Sequence, residues 1–354
     1  MPKPSSTQKT QTEITSLKSR VRKLQDGVNL KNIRDSLEDI QTMVNSFPDR
    51  IKEIRINGYA FEKNLESQAN NRSNQFKQML PNIQKQIDLH SSNLSSTLRP
   101  IEVQVSRLSV TPSNLSATQM NLKKLDASAN SLENKVKSAE RTISGMFFKL
   151  KSAINEVEEH LIDLEWMLKQ IAEAQFSLLP MESGIMAVKA VWNKTGQEEK
   201  SDPEGVLYIT DQRLLFEQKE KVATKKILFI PTEKKKVQNL LLNIPITLAE
   251  KVTTSKQGVF KNEDHIDIEF GNGAQVRKAH FHLWQDCTNW QSYINRARSN
   301  EFDNDRATRV DEGELKKVRS APTICPNCGG KLDQVVYRGM ENIKCDYCGV
   351  LIRL

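Results

Sequence analysis

Two Cys-x-x-Cys pairs near the end of this 354-residue chain carry its most specific chemistry: Cys325-Pro-Asn-Cys328 and Cys345-Asp-Tyr-Cys348, with sixteen residues between them. Four soft thiolates at this spacing suit a tetrahedral zinc ion, and a shell filled by protein ligands is structural, because no position remains for water or substrate. Gly329-Gly330 and Gly349 follow the pairs and allow the tight backbone that aims two thiolates at one ion. A segment this short cannot build its own core, so metal would supply its folding energy. Two disulfides are the alternative; the opening Met1-Pro-Lys-Pro lacks an apolar signal segment, so a reducing, cytoplasmic setting that favours metal is expected.

The fifth cysteine, Cys287, stands among Leu283, Trp290, Ile294 and Ala297 at helical spacing and reads as a small buried hydrophobe. Its candidate bases, His265, His280 and His282, fall on expected strands with nothing linking them to it. The chain has no phosphate loop, no nucleophile–base–acid set and no two-histidine metal pattern, so a non-enzymatic protein is expected.

Seven lysines crowd residues 219–236 (Lys219, Lys221, Lys225, Lys226, Lys234, Lys235 and Lys236) against Glu220 and Glu233. They form a candidate anionic-ligand patch, for a membrane headgroup or another polyanion; a solvated rim is the alternative. Over the whole chain the formal charge of +8 is a mild bias toward acidic partners, not a nucleic-acid signature.

These groups need elements to position them. With 27% charged and 6% aromatic residues, the composition suits a long helical part beside a compact domain. From about 10 to 177 apolar residues recur at steps of three and four, most regularly from Leu122 to Ile171, a coiled-coil seam. Three helices are expected, at about 10–46, 49–109 and 114–175, with corners at Ser46-Phe47-Pro48 and at Val110-Thr111-Pro112-Ser113. Pro81 and Pro100 kink one helix or start new ones. The seam can close within one chain as an antiparallel bundle or between chains as a homo-oligomer. No apolar stretch approaches the ~20 residues that span a bilayer.

Past Leu178-Leu179-Pro180 the period changes to that of strands. Expected strands are Ile185–Trp192, two within Gly205–Phe216, Lys226–Pro231, Leu240–Ile246, one near Ala249–Thr254, and a pair around the turn Gly271-Asn-Gly273, with a closing helix behind them. The order Pro180-x-Glu182-x-Gly184, Gly205-x-Leu207-x-Ile209-Thr210-Asp211-x-Arg213-Leu214-x-Phe216, Ile244-Pro245-Ile246, Lys256-x-Gly258-x-Phe260 and Trp290-x-x-Tyr293-Ile294 resembles the pleckstrin-homology (PH) superfold, closest to its GRAM and bacterial PH-like branch. The resemblance covers about 178–298 and implies a module that docks phospholipid headgroups or protein partners.

Residues 299–321 are polar and mixed in charge, and read as a flexible linker. The tail resembles the zinc-ribbon class, with Leu332, Val335, Val336, Tyr337, Ile343 and Tyr347 available to cover the metal. The expected organisation is a disordered start (1–9), a helical coiled-coil or bundle region (10–177), a PH-like β-barrel or sandwich with a C-terminal helix (178–298), a linker (299–321) and a zinc ribbon (322–354). The expected function is that of an adaptor or scaffold. It would self-associate or act as a spacer through its helices, and dock protein partners or an anionic membrane surface. The alternative is a nucleic-acid-associated factor using the ribbon and the lysine loops, disfavoured by the tail's nearly balanced charge.

Overall fold

A seam of apolar residues at steps of three and four is satisfied only when it faces another such seam. In the computed structural model, which describes residues 5–193, 199, 201–227, 230–258, 262–308, 311–332, 334, 336 and 338–354 (backbone alone at 222–227, 230–234, 312, 314, 315 and 319), these seams meet within the chain. The chain divides into two units, residues 1–48 with 67–159, and residues 49–66 with 160–354.

Helices α1 (Ser6–Val28), α2 (Lys31–Ile56), α3 (Leu65–Ser106) and α4 (Leu115–Ala172) carry the helical half. In the first unit the buried stripe Ile14, Leu17, Val21, Leu24 of α1 is matched by Leu122, Leu125, Ala129, Leu132 of α4 and Leu94, Leu98, Ile101, Val105 of α3. Polar ties run along the same seams: Arg20 to Asp126 and Glu133, Gln25 to Glu102, and Lys151 to Ser36. The folded-back bundle is therefore the arrangement within one chain.

Three helical expectations change, the first being that the helix expected at 10–46 is divided into α1 and α2 where Leu30 takes φ +52°. The start was expected to be disordered to residue 9, yet α1 begins at Ser6, where Ser5 and Gln8 satisfy each other's backbone N–H groups in a capping box. No corner falls at Ser46-Phe47-Pro48: α2 runs through Pro48. An interior proline costs about 3 kcal/mol, but Phe47, Ile51 and Ile54 are each at most 2% exposed on the buried face, and such side chains return about 1.5–3 kcal/mol apiece. The chain instead breaks after Ile56, where Gly58 takes φ +97° and Glu62 φ +55°. Arg55 secures that turn by donating to the carbonyls of Tyr59, Phe61 and Glu62. Pro81 and Pro100 both lie inside α3, and the Pro112 corner separates α3 from α4.

In the second unit, strands β1 (Gly184–Asn193), β2 (Glu204–Thr210), β3 (Arg213–Ile227), β4 (Ile230–Pro245), β5 (Ala249–Gln257), β6 (Glu263–Phe270) and β7 (Lys278–Leu283) form an antiparallel sheet in the order β4-β3-β2-β1-β7-β6-β5. Two meanders, β1–β4 and β5–β7, join where β1 pairs with β7. Trp192, Phe216 and Phe281 pack together inside, with ring centroids 5.3–6.1 Å apart. Helix α5 (Trp290–Arg298) closes the sheet with Trp290, Ile294 and Ala297 buried. This is the PH-like architecture expected: two antiparallel meanders and a C-terminal helix.

Two details differ. The strand expected over Lys226–Pro231 is not one strand: Lys226 and Ile227 end β3 and pair with Pro231 and Ile230 of β4, in a ladder that runs from Arg213↔Pro245 to Ile227↔Ile230; Leu228 and Phe229 lie outside the described residues. The closing helix starts at Trp290, so Leu283 ends β7 and Cys287 lies in the turn between, both still buried. Phe260 lies outside the described residues. Helix α6 (Glu312–Arg319) precedes the cysteine segment, which holds the small hairpin β8 (Asn342–Lys344) and β9 (Leu351–Arg353).

Candidate metal centre and its attachment

Each Cys-x-x-Cys pair folds by the same local rule. The Cys325 N–H donates to the Gly330 carbonyl at 2.8 Å and the Gly329 N–H to the Cys325 carbonyl at 2.9 Å. In the second pair, the Cys345 N–H donates to Val350 at 3.0 Å and the Gly349 N–H to Cys345 at 2.8 Å. Both turns need φ +73° at their glycine, Gly329 and Gly349, a region costly for any other residue. The first cysteine of each pair is buried and the second exposed.

All four cysteine sulfurs lie within 4.8 Å of one another. Cys325 and Cys348 are 3.7 Å apart, and Cys328 and Cys345 3.6 Å. Tetrahedral metal–sulfur bonds of about 2.3 Å would place sulfurs about 3.8 Å apart, so the thiols are already spaced for one ion. The Val350 N–H and the Asn327 amide draw the Cys348 thiol down to about 6, while Cys328, despite the Gly330 N–H, is pushed up by the neighbouring Cys348 sulfur. Among the described residues no other three His, Cys, Asp or Glu side chains are grouped in this way.

The cover of the centre differs in part from the one expected. Ile343 and Ile352 are buried with Cys325 and Cys345, and Leu332, Val336, Met340, Val350 and Leu354 pack against them. Tyr347 was expected among them but is 71% exposed. Val335 and Tyr337 lie outside the described residues.

The segment read as a linker does not hang free along its length. Phe302 is buried beside Phe61, with ring centroids 5.4 Å apart, and the Ala307 N–H donates to the Ala60 carbonyl. Arg306 pairs with Asp211 and Asp303. From the cysteine module, Arg338 reaches the same two carboxylates, Asp211 at 2.8 Å and Asp303 at 2.8 Å, so two arginines and two aspartates close a ring. Asp211, Arg306 and Arg338 are each at most 6% exposed. Burial pushes the Asp211 carboxyl above its ordinary value, while Arg306, the Ser183 N–H and Arg338 oppose that shift. Next to the ring, the fully buried Glu182 carboxylate accepts from Arg213 and Thr210.

In the sequence, Glu182, Thr210, Asp211 and Arg213 stand out only as marks of resemblance, and Arg338 only as one charge of a nearly balanced tail. A cluster of charged residues inside an otherwise apolar hairpin was the available signal, since buried charge demands partners.

Of the candidate lysines, Lys219 turns inward, to Gln170 at 3.1 Å and Glu217 at 3.5 Å, and is occupied. Lys221, Lys235 and Lys236 are exposed on the long hairpin, with Lys221 directly opposite Lys236. The side chains of Lys225, Lys226 and Lys234 lie outside the described residues. Cys287 sits under α5, where burial raises its thiol, and its N–H binds Asp264 rather than a histidine. The three histidines share a face of β6 and β7: His265 stacks on His282 and hydrogen-bonds His280 at 3.0 Å.

No family model matches this chain, and no curated protein does. Among solved structures it is similar to the Vps36 N-terminal PH domain, at 12% identity and a TM-score of 0.23, over 34% of this chain and 81% of that one. It is also similar to the DH/PH domains of p115-RhoGEF, at 12% and 0.22 over 84% and 95%. A third is the DH/PH domains of PDZ-RhoGEF in complex with activated RhoA, at 13% and 0.24 over 82% and 92%. At these scores the likenesses carry no argument, and the PH-like architecture rests on the strand order and closing helix.

Proposed function

We propose that this chain is a non-enzymatic docking protein. The helical unit acts as a spacer, the PH-like domain presents a basic hairpin, and a structural zinc ion shapes the C-terminal ribbon. Zinc fits because four thiols within 4.8 Å of one another, two pairs of them at 3.6–3.7 Å, suit its tetrahedral sulfur shell and leave no open position for chemistry. A reducing, cytoplasmic setting suits such thiols. The observation that carries the docking role is the β3–β4 register, which sets Lys221 opposite Lys236 with Lys235 alongside, all exposed. Like charges facing each other across a strand pair repel, and an anionic surface relieves that repulsion at about 1 kcal/mol per lysine. No described helix is long and apolar enough to cross a membrane, so attachment of this kind would be peripheral.

Sedimentation with phosphatidylserine vesicles, neutral vesicles, duplex DNA and RNA, each at low and physiological salt, tests this reading. Binding to the anionic vesicles alone, weakened by salt, is expected. Binding to nucleic acid alone would favour a nucleic-acid-associated factor, and binding to none would leave protein partners as the docking targets.

A further inference from the structure

The turn that fastens the cysteine module is read at three points by residues outside that module. The Arg338 guanidinium spans two carboxylates, Nη1 on Asp303 Oδ1 at 2.8 Å and Nη2 on Asp211 Oδ2 at 2.8 Å. A planar fork can bridge two acceptors in this way and the point charge of a lysine cannot. The Arg338 N–H donates to Gln212 Oε1 at 3.1 Å. Gly339 adopts φ +81°, and a Cβ there would lie 2.6 Å from the Pro180 carbonyl oxygen and 2.8 Å from Leu179 Cβ. The position therefore admits glycine alone.

The recess is built independently of its occupant. Asp211 Oδ1 is held by the Ser183 N–H at 2.9 Å, and Gln212 is oriented by its own amide on the Asp211 carbonyl at 2.8 Å. Arg306 is anchored on the Met181 carbonyl at 2.8 Å and lies over the Phe61 ring at 4.9 Å. Without Arg338, two carboxylates share one guanidinium, and the recess keeps one net negative charge with an open acceptor on each aspartate. Phe61 and residues 179–183, 210–213 and 303–306 supply all of this.

We propose that the recess is a recognition site for arginine-glycine peptides, filled in cis by Arg338-Gly339 while the cysteine module is folded on its metal. Loss of the metal unfolds the module, withdraws the turn and opens the site to an arginine-glycine segment of another protein.

The test uses the full chain and a fluorescein-labelled hexapeptide of the sequence 336–341, followed by fluorescence anisotropy. The Arg338→Ala chain, checked for wild-type circular dichroism and metal content, should bind the peptide at least tenfold more tightly than wild type. Peptides carrying R338K or G339A should bind it at least tenfold more weakly, as should the parent peptide on a chain that also carries Asp303→Asn. Equal binding by wild type and Arg338→Ala, or equal binding of all three peptides, overturns the proposal. Should Arg338→Ala not fold, wild type stripped with a chelator takes its place: it must gain peptide binding and lose amide protection at residues 210–213, and failure of either overturns the proposal.

Discussion

Arg338 and Asp211 are separated by 127 residues and meet at 2.8 Å, both almost fully buried. Asp211 also serves Arg306, so one carboxylate answers two buried guanidiniums. Breaking a buried pair from one side costs about 3–5 kcal/mol, because the charge left behind stays desolvated. Asp211→Ala should therefore lose about 3–5 kcal/mol in urea unfolding. Asp303→Ala should lose less, since that carboxylate is 25% exposed. Equal small losses for both would mean that the ring does not hold the module.

His160 and Glu62 form a second linkage, at 2.7 Å. Burial lowers the His160 pKa, but the Glu62 hydrogen bond and charge outweigh burial and hold it above 6.5. Burial likewise raises Glu62, yet His160 draws it below 4.5. The stability due to the raised histidine is fully present below about pH 6.5 and is lost as pH rises through its folded value. The share due to the lowered glutamate is present above about pH 4.5 and is lost on acidification. His160→Gln should thus lower the Tm more at pH 6 than at pH 8.5; an equal effect at both would refute the charged pair.

Trp290 is the largest fully buried side chain and stands at the start of α5. Trp290→Ala should cost about 3–5 kcal/mol, the range for removing a core aromatic ring. Cys287→Ala, which removes one sulfur atom, should cost much less. Chemical denaturation of the two variants checks the order, and a Trp290 variant as stable as wild type would contradict the closing-helix arrangement.

The exposed hairpin lysines separate a docking surface from a solvated rim. Changing Lys221, Lys235 and Lys236 to Glu reverses the local field without touching the buried strand positions. Binding to anionic vesicles should be lost, and wild-type binding should fall steeply with salt, because exposed charges are screened over about 8–10 Å. Vesicle binding that survives the reversal places the contact elsewhere.

The parts legible in the sequence are those set by local spacing. The paired cysteines foretold their cluster, the three–four step foretold the helices, and Gly271-Asn-Gly273 foretold the β6–β7 turn. The failures arose where packing between distant segments overrides a local signal. Pro48 looked like a corner, but Phe47 and Ile51 hold the helix through it. Lys226–Pro231 looked like a separate strand, whereas Lys226 and Ile227 pair across a hairpin with Pro231 and Ile230. The ring of Asp211, Asp303, Arg306 and Arg338 joins three segments across more than a hundred residues, and no spacing rule connects them. Polar composition made 299–321 read as a linker, yet Phe302 and Arg306 are buried there.

The central claim is one structural tetrathiolate zinc centre formed by Cys325, Cys328, Cys345 and Cys348. Zinc-edge X-ray absorption on the purified chain, with metal counted by mass spectrometry, tests it most directly. One zinc per chain with four sulfur neighbours at about 2.3 Å is expected, with loss of that zinc on Cys345→Ser. Clearly less than one zinc per chain in protein never exposed to chelator, or a shell containing oxygen or nitrogen, would contradict it.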